Sequence, residues 1–401
     1  MAGEISAIVP TFNRGAYLEE AIAAIASQTR PVSEIVIWDD GSTDDTPQRI
    51  ADLEARFPTL VRAFTSKNGG KAKALNAALA QISGEYVWIC DDDDVALPMA
   101  TQTLMAGFDS SDVALVAGRH LRFRDDAKGN RKTYDTGYWP DLSSGSPLRH
   151  ILEDIFFFQN GSLVRRQALQ DAGPFREDLS RSIDYEMFLR LASRNPVRIL
   201  EDVVFLQRKH DGARGPSSAQ HTADQSDTVW KSHDLKIFRD VRETLPLSLY
   251  EALYQSTDPD LIHRAALLQR GTVYARRTDW DLALEDFTAA AALDPGRPLT
   301  SVETAITRRA MSGKHGIDEA LQPVTLRKLK SLSGKGRTGT DILNALRRGA
   351  LWHGRTAVQS RDLPRAISIA SLAAPLLWSK NNAPDSDLTE RQTLPLDVYG
   401  W

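Results

Sequence analysis

The chain is nearly devoid of cysteine: Cys90 stands alone among 401 residues, so no intramolecular disulfide can form, and its place in an apolar run assigns it to packing. That usage fits a reducing compartment. A surplus of positive charge is also missing, since 49 Lys and Arg face 53 Asp and Glu, for a formal net charge of -4. Such a balance excludes a global attraction to nucleic acid or anionic lipid and leaves only local patches to act. No apolar run approaches the length that spans a bilayer, and Met1 to Ser6 lacks the basic and apolar regions of a signal peptide. The expected location is the cytoplasm, at most peripheral to the inner face of a membrane.

With 42% apolar and 25% charged residues, the chain can build two or three domains with proper cores. Over the first two hundred residues short apolar runs alternate with amphipathic segments, the pattern of an α/β layer with a parallel-leaning sheet. Ile5 to Val9, Ile35 to Trp38, Val61 to Phe64, Tyr86 to Cys90 and Val113 to Val116 read as successive strands. Tyr17, Leu18, Ala21, Ile22 and Ile25 recur at helical spacing after the first. After the second, a helix is expected to start with Thr46 as N-cap and Pro47 at the first helical position. Lys128, Gly129 and Asn130 mark a turn, which predicts an antiparallel excursion of the sheet.

Polar clusters stand at the strand ends, where open α/β sheets bind ligands. The fourth strand runs into Asp91, Asp92, Asp93 and Asp94. Adjacent carboxylates repel, so something positive belongs there. Hard oxygen ligands suit Mg²⁺ or Mn²⁺ shared with a substrate phosphate; the bland reading is a solvated acidic turn. At the second strand's end, Asp39 can accept hydrogen bonds from a base edge or a ribose hydroxyl, while Asp40 reads as a turn residue. Asn68, Gly69, Gly70 and Lys71 offer amides and an ammonium to a phosphate, and Asn76, inside the next helix, either back-bonds or faces water. Arg208, Lys209 and His210 follow the apolar run Val203 to Leu206, a cationic cluster suited to closing over a diphosphate. His210 is either a metal contact or a hydrogen-bonded surface residue. Asp211 to Ser226 reads as a mobile loop, either a lid or a linker.

In their order these stretches resemble the inverting nucleotide-sugar glycosyltransferases of family 2, which have the type A fold. The matching residues are Ile8-Val9-Pro10-Thr11-Phe12-Asn13-Arg14, Trp38-Asp39-Asp40-Gly41-Ser42-Thr43-Asp44, Asn68-Gly69-Gly70-Lys71-Ala72 with Ala74-Leu75-Asn76, and the aspartate run followed by Pro98. The likeness continues through Gly161-Ser162 with Arg165-Arg166, Gly173-Pro174-Phe175, Asp184-Tyr185-Glu186 with Leu189-Arg190-Leu191-Ala192, and Arg208 with His210. The resemblance implies a Rossmann-like mixed sheet and a set of roles. Asp39 would hold the nucleobase, with Pro10, Thr11 and Asn13 shaping the nucleoside pocket. Asp91 and Asp93 match the family's two-aspartate metal motif, whose Mn²⁺ or Mg²⁺ bridges to the donor diphosphate as Lewis acid and template. Asp92 would touch the ribose and Asp94 cap the next segment. Asp184 matches the base that deprotonates the acceptor hydroxyl in a single displacement. Without the resemblance, its place at the start of an apolar helical face would make it a carboxylate stabilising that helix's dipole. Many relatives carry an acidic residue just before this base; here it is Ile183.

Beyond Thr228 the composition turns to continuous helical periodicity, with no convincing strand before Lys380. Gly271, Tyr274, Ala283, Phe287, Ala290 and Pro295 fall at the spacings of a tetratricopeptide repeat, the bland alternative being a generic helical bundle, which is the reading preferred for a weaker echo at Gly354, Ala357, Ala366, Ala370 and Ala373. One clear unit and one degenerate one are too few for a solenoid, so helices such as Leu245 to Tyr254 and Ile342 to Leu351 are expected to complete the core. Arg327, Lys328, Lys330, Lys335 and Arg337 form either a solvated loop or a contact for an anionic acceptor or lipid. The expected organisation is a catalytic domain over residues 1–225, a helical domain over 226–380 with its clearest unit at 264–297, and a loosely docked tail over 381–401 that Val398, Tyr399 and Trp401 anchor.

The expectation is a metal-dependent inverting hexosyltransferase that moves a sugar from a UDP-sugar to an acceptor hydroxyl of a glycan or glycolipid in cell-surface polysaccharide or glycoconjugate synthesis. The helical domain would serve a protein partner or self-association. Two alternatives differ in chemistry. A catalytically inactive scaffold would act through the helical domain alone, and a nucleotidyltransferase would release pyrophosphate from a nucleoside triphosphate.

Overall fold

The structure, a computed structural model, describes residues 3–126, 128–209, 226–378 and 383–399. Its elements begin with β1 (Ile5–Thr11), α1 (Gly15–Ala26), β2 (Glu34–Asp39), α2 (Thr46–Arg56), β3 (Val61–Thr65), α3 (Lys71–Leu79) and β4 (Tyr86–Ile89). Next come β5 (Val95–Ala96), α4 (Ala100–Ala106), β6 (Leu115–Asp125), β7 (Arg131–Tyr134), α5 (Pro147–Glu153), β8 (Ser162–Arg165), α6 (Arg166–Ala172), α7 (Ile183–Arg194) and β9 (Val197–Arg208). The remainder is α8 (Ser226–Thr244), α9 (Leu247–Glu251), β10 (Tyr254–Gln255), α10 (Pro259–Arg276), α11 (Trp280–Leu293), α12 (Ser301–Arg309), α13 (Ile317–Ala320), α14 (Pro323–Ser331), α15 (Gly336–Gln359), α16 (Leu363–Ala373) and β11 (Thr389–Glu390). Two compact units result: Met1–Asp141 with Ile155–Trp230 and Tyr399–Trp401, and Leu142–Asp154 with Lys231–Val398. The segment Leu142–Asp154, expected in the first domain, thus belongs to the second, and the boundary falls at Trp230 rather than at 225.

The first unit is built on one mixed sheet in the order β3-β2-β1-β4-β8-β6-β9-β5, with β7 hydrogen-bonded to β6. β1, β2, β3 and β4 pair in parallel, which puts their carboxyl ends on one rim. Helices on both faces require near-continuous apolar strands, and Ala7, Ile8, Val9, Ile35, Val36 and Ile37 are fully buried. The turn at Gly129 sends β7 back antiparallel to β6, as its sequence predicts.

Two local readings need correction. The fifth strand is not Val113 to Val116 but the whole of β6, and its polar outer half, with Arg119, Arg122 and Arg124, conceals it from an apolar-run search. Thr46 is not the N-cap of α2: that position is Asp45, and Thr46 is the first helical residue. Its hydroxyl instead accepts the Arg14 and Gly15 amides at 3.2 and 2.9 Å, so it satisfies amides at the start of α1.

In the second unit, α10 and α11 form a hairpin joined by Arg277, Thr278 and Asp279, with Thr278 at φ 69° and the Asp279 carboxylate accepting the Leu282 amide. Gly271, Tyr274, Ala283, Phe287 and Ala290 are all buried between or beneath these helices. A Cβ on Gly271 would lie 2.8 Å from the Phe287 ring and 3.1 Å from the Ala283 carbonyl oxygen. Only a bare α-carbon allows that approach. The weaker echo is a second hairpin, α15 and α16, whose turn repeats the first: Arg361 at φ 61°, then Asp362 accepting the Arg365 amide. The tail is not loosely docked. β11 pairs with β10, Asp387 accepts three hydrogen bonds from Ser256 and Thr257 at 2.6 Å, and Leu388 is buried. Only β10, two residues long, interrupts the helical pattern expected between Thr228 and Lys380 among the described residues. Trp401 lies outside the described residues.

Gly271→Val should destabilise the helical unit by about 2 kcal/mol, the cost of overpacking against backbone. Gly354→Ala should cost less, because a Cβ there meets only the Ile369 side chain, at 3.2 Å. Thermal unfolding of the two variants tests the order. In the sheet unit, His120 is 1% exposed between Phe158 and Phe205, and neither ring nitrogen has a hydrogen-bond partner among the described residues. Burial, then the charges of Arg122, Lys209 and Arg119, hold its pKa at about 4, below the ordinary 6.5. The unfolded chain therefore binds the extra proton first, and stability present above the ordinary value is lost as pH falls toward about 4. Urea midpoints should show a loss of about 2 kcal/mol between about pH 7 and about pH 5 that His120→Leu removes.

Candidate active site

Three strand exits on the parallel rim are stitched into one surface. β1 leads to Asn13, held at φ 53°, whose amide donates to the Ser42 hydroxyl at 2.8 Å and whose side-chain oxygen accepts the Thr43 amide at 2.7 Å. Pro10 and Thr11 end β1 beside the last residues of β2. Asp39, 3% exposed, accepts the Ser42 amide at 2.9 Å and the Thr65 hydroxyl at 3.1 Å. Asp40 does more than turn the chain: its carboxylate accepts the Gly69 and Gly70 amides, both at 2.8 Å, and its carbonyl accepts the Asn68 side chain at 3.0 Å. Gly41, at φ 80°, passes this loop so closely that a Cβ would sit 2.8 Å from the Ser66 carbonyl oxygen. Asn76 neither back-bonds nor faces water. It exchanges two hydrogen bonds with the Phe175 backbone, at 2.8 and 2.9 Å, and so ties α3 to the segment leading toward α7.

The aspartate row divides by alternation. Asp92 and Asp94 are buried, whereas Asp91 and Asp93 keep part of their surface open. Burial raises the Asp92 carboxyl to about 7, with Arg14 pulling the other way and Asp93 adding to the rise. Burial, with Asp93 and Asp91, also pushes Asp94 well above the carboxylate range. Asp94 is a structural acceptor, taking hydrogen bonds from the Asn160 side chain at 2.7 Å and the Arg208 amide at 2.8 Å.

Two cations neutralise the outward pair. Arg14 donates to Asp93 and, at 3.3 Å, to Asp92, and Lys71 donates to Asp91. Burial disfavours the Lys71 ammonium, but Asp91 and Asp184 outweigh it and hold its pKa above the ordinary lysine value. Asp184, the second residue of α7, follows Ser182 at φ 55° and accepts the Tyr185 amide at 2.9 Å. Burial raises its pKa, Lys71 opposes the rise, and Asp91 adds to it. Lys71 thus bonds to Asp91 and also feels the charge of Asp184.

Arg208 is placed differently from its sequence reading. Its guanidinium pairs with Asp125 and Glu20 between the Tyr17 and Phe123 rings, and its Nε donates to the Asp93 carbonyl at 2.9 Å. It braces the acid row from behind. His210 and the loop Asp211 to Gln225 lie outside the described residues. Arg14 and Asn160 contact the acid row and are not among the residues read from the strand ends. Asn160 fixes the row by accepting the Asp91 amide, binding Asp94 and accepting the Trp88 indole N–H on its carbonyl at 2.8 Å. A buried asparagine beside a glycine, 66 residues from its carboxylate partner, leaves no local pattern to find.

Among the described residues, no group of three or more His, Cys, Asp and Glu is arranged to hold a metal ion by itself. Asp91 and Asp93 nonetheless fit Mg²⁺ or Mn²⁺ as one side of a shared site, because such ions take a carboxylate or two and complete their shell with water and substrate phosphates.

The family model Glycosyl transferase family 2 matches residues 6–173. Glycosyltransferase GlyG of Streptococcus pneumoniae is 36% identical over 138 residues, 34% of this chain and 45% of that one. Chondroitin synthase of Escherichia coli is 25% identical over 248 residues, 62% of this chain and 34% of that one. The chain thus spans less than half the length of either relative. The crystal structure of S. aureus TarS 1-349 in complex with UDP-GlcNAc superposes with a TM-score of 0.50 at 19% identity, over 85% of this chain and 90% of that one, and so shares the fold. Residues 6–173 thus match the family 2 glycosyltransferases, and the fold shared with that structure is a type A fold followed by a helical region.

Proposed function

We propose that the chain is a metal-dependent inverting glycosyltransferase that moves a sugar from a UDP-sugar to a hydroxyl of a glycan or glycolipid in cell-surface polysaccharide or glycoconjugate synthesis. The observation that carries this reading is the acid row at the sheet rim, where Lys71 donates to Asp91 and Asp184 is near enough for its charge to raise the Lys71 pKa. A diphosphate bound at the acid row would then lie within reach of a base on α7. The polysaccharide context draws on the chondroitin synthase relative.

In this reading Asp39 orients the nucleobase, Pro10, Thr11 and Asn13 line the nucleoside, and Asp92 meets the ribose. Asp91 and Asp93 would hold Mn²⁺ or Mg²⁺ against the donor phosphates, and the ion when bound neutralises the leaving nucleoside diphosphate. Lys71 adds a second positive charge on the same side. Asp184 takes the proton of the acceptor hydroxyl as that oxygen attacks the anomeric carbon from the face opposite the diphosphate. The bond from that carbon to the phosphate oxygen breaks with the electron pair leaving on the diphosphate, and the configuration inverts. A base needs some basicity at neutral pH, and burial supplies it by lifting Asp184 above an ordinary aspartate. Arg208 acts by holding the Asp93 backbone.

Chelation should abolish sugar transfer from UDP-sugars, and added Mn²⁺ or Mg²⁺ should restore it; full turnover by chelated protein in a coupled UDP-release assay would contradict the role of Asp91 and Asp93. Asp184→Asn should lower kcat by roughly a thousandfold, within the range for removal of a general base, while leaving the calorimetric affinity for the donor nearly unchanged. Turnover by that variant at the wild-type rate would remove Asp184 from the mechanism.

A further inference from the structure

The second helical hairpin ends the helical unit with an apolar outer surface. On α15, Leu351, Trp352 and Val358 are 50%, 57% and 62% exposed, and on α16 and the turn after it Leu363, Ile367, Leu377 and Trp378 are 62%, 68%, 84% and 89% exposed. The inner face of α16 is already satisfied, with Ile369, Leu372 and Ala373 buried. Leu363, Ile367, Ala370, Ala374 and Leu377 follow at spacings of three and four, which makes a second stripe along α16 and the 3₁₀ turn after it. The solvent-facing side of a surface helix ordinarily carries charged and polar residues. Here the outward face is apolar and carries two tryptophans.

Charge selects the occupant. Between positions 347 and 378 the sequence has five arginines, Arg347, Arg348, Arg355, Arg361 and Arg365, against a single acid, Asp362, and of these Arg365 is paired with Asp318 at 3.0 Å. Asp362 is engaged as the cap of α16. Arg355 and Arg361 are exposed among the apolar side chains, Arg355 one turn from Leu351 and Arg361 at the hairpin turn. A second copy docking face to face would bring Arg355 and Arg361 against their own counterparts, while the acids described there, Asp362 and Asp318, are already engaged as a helix cap and with Arg365. A surface of anionic lipid offers both halves of the match: headgroup phosphates for the guanidinium groups and an acyl boundary for Leu, Ile and Trp. No helix among the described residues is long and apolar enough to cross a membrane, so the contact would be interfacial.

We propose that the outer face of α15 and α16 is a membrane-docking surface for anionic phospholipid. The full chain should co-sediment with vesicles of phosphatidylcholine mixed with phosphatidylglycerol, should not do so with phosphatidylcholine alone, and should be released by salt. The double variant Leu377→Ser, Trp378→Ser should weaken binding roughly a hundredfold through lost apolar insertion, and Arg355→Glu roughly tenfold through charge reversal. Val324→Ser, which removes a 55% exposed apolar residue on α14, should leave vesicle binding unchanged. Because Arg355 is exposed, its reversal should leave the thermal unfolding profile intact and so report on docking rather than folding. Equal binding to both vesicle types, or wild-type binding by Arg355→Glu and the double variant, would overturn the proposal. So would a dimer in light scattering that the double variant dissociates, since the face would then belong to a second copy.

Discussion

Four carboxylates in succession at the rim of a sheet are a standing electrostatic cost, and the first unit is arranged around offsetting it. Alternation along the chain does the first part, turning Asp92 and Asp94 inward and leaving Asp91 and Asp93 outward. Hydrogen bonds do the second, with Asn160 and the Arg208 amide holding Asp94. Arg14 and Lys71 do the third as resident cations. The outward pair, separated by one residue, is left with the geometry to share a charge brought in from outside. A buried row with no such partners would either take up protons or unfold the rim.

The rest of the rim serves the same end. Asp40 clamps the glycine loop that carries Lys71, Asn76 ties α3 to the segment preceding α7, and Thr46 fixes the start of α1 next to Arg14. Both cations therefore stand on backbone that is itself held by side-chain hydrogen bonds. The helical unit obeys a different constraint, close approach of helices, met by Gly271 against Phe287 and repeated more loosely by Gly354 against Ile369.

Much of this was legible in the sequence because it is local. Parallel strands announce themselves as apolar runs, and Asp39, Lys71, the aspartate row and Asp184 all sit in short motifs with a characteristic order. What was not legible depends on distance. Asn160 meets Asp94 across 66 residues, and Arg208 meets Glu20 across 188, so no window of sequence holds both partners. Asp40 looked like a turn residue because its partners, the Gly69 and Gly70 amides, are backbone groups with no signature of their own. The length of β6 was hidden by arginines at its margin, and the docking of the tail by strands of two residues each.

Arg14 and Lys71 hold the electrostatic place beside Asp93 and Asp91 that, in the proposed function, a divalent cation and a diphosphate would take together. In the proposed function a bare ion would have to displace both side chains, whereas a nucleoside diphosphate would attract them toward its phosphates and free the carboxylates. Calorimetric titration of Mn²⁺ in the absence and presence of saturating UDP tests this most directly. The account predicts that UDP tightens Mn²⁺ binding by roughly tenfold or more, with the same coupling seen for UDP when Mn²⁺ is saturating. Equal Mn²⁺ affinity with and without UDP would contradict it.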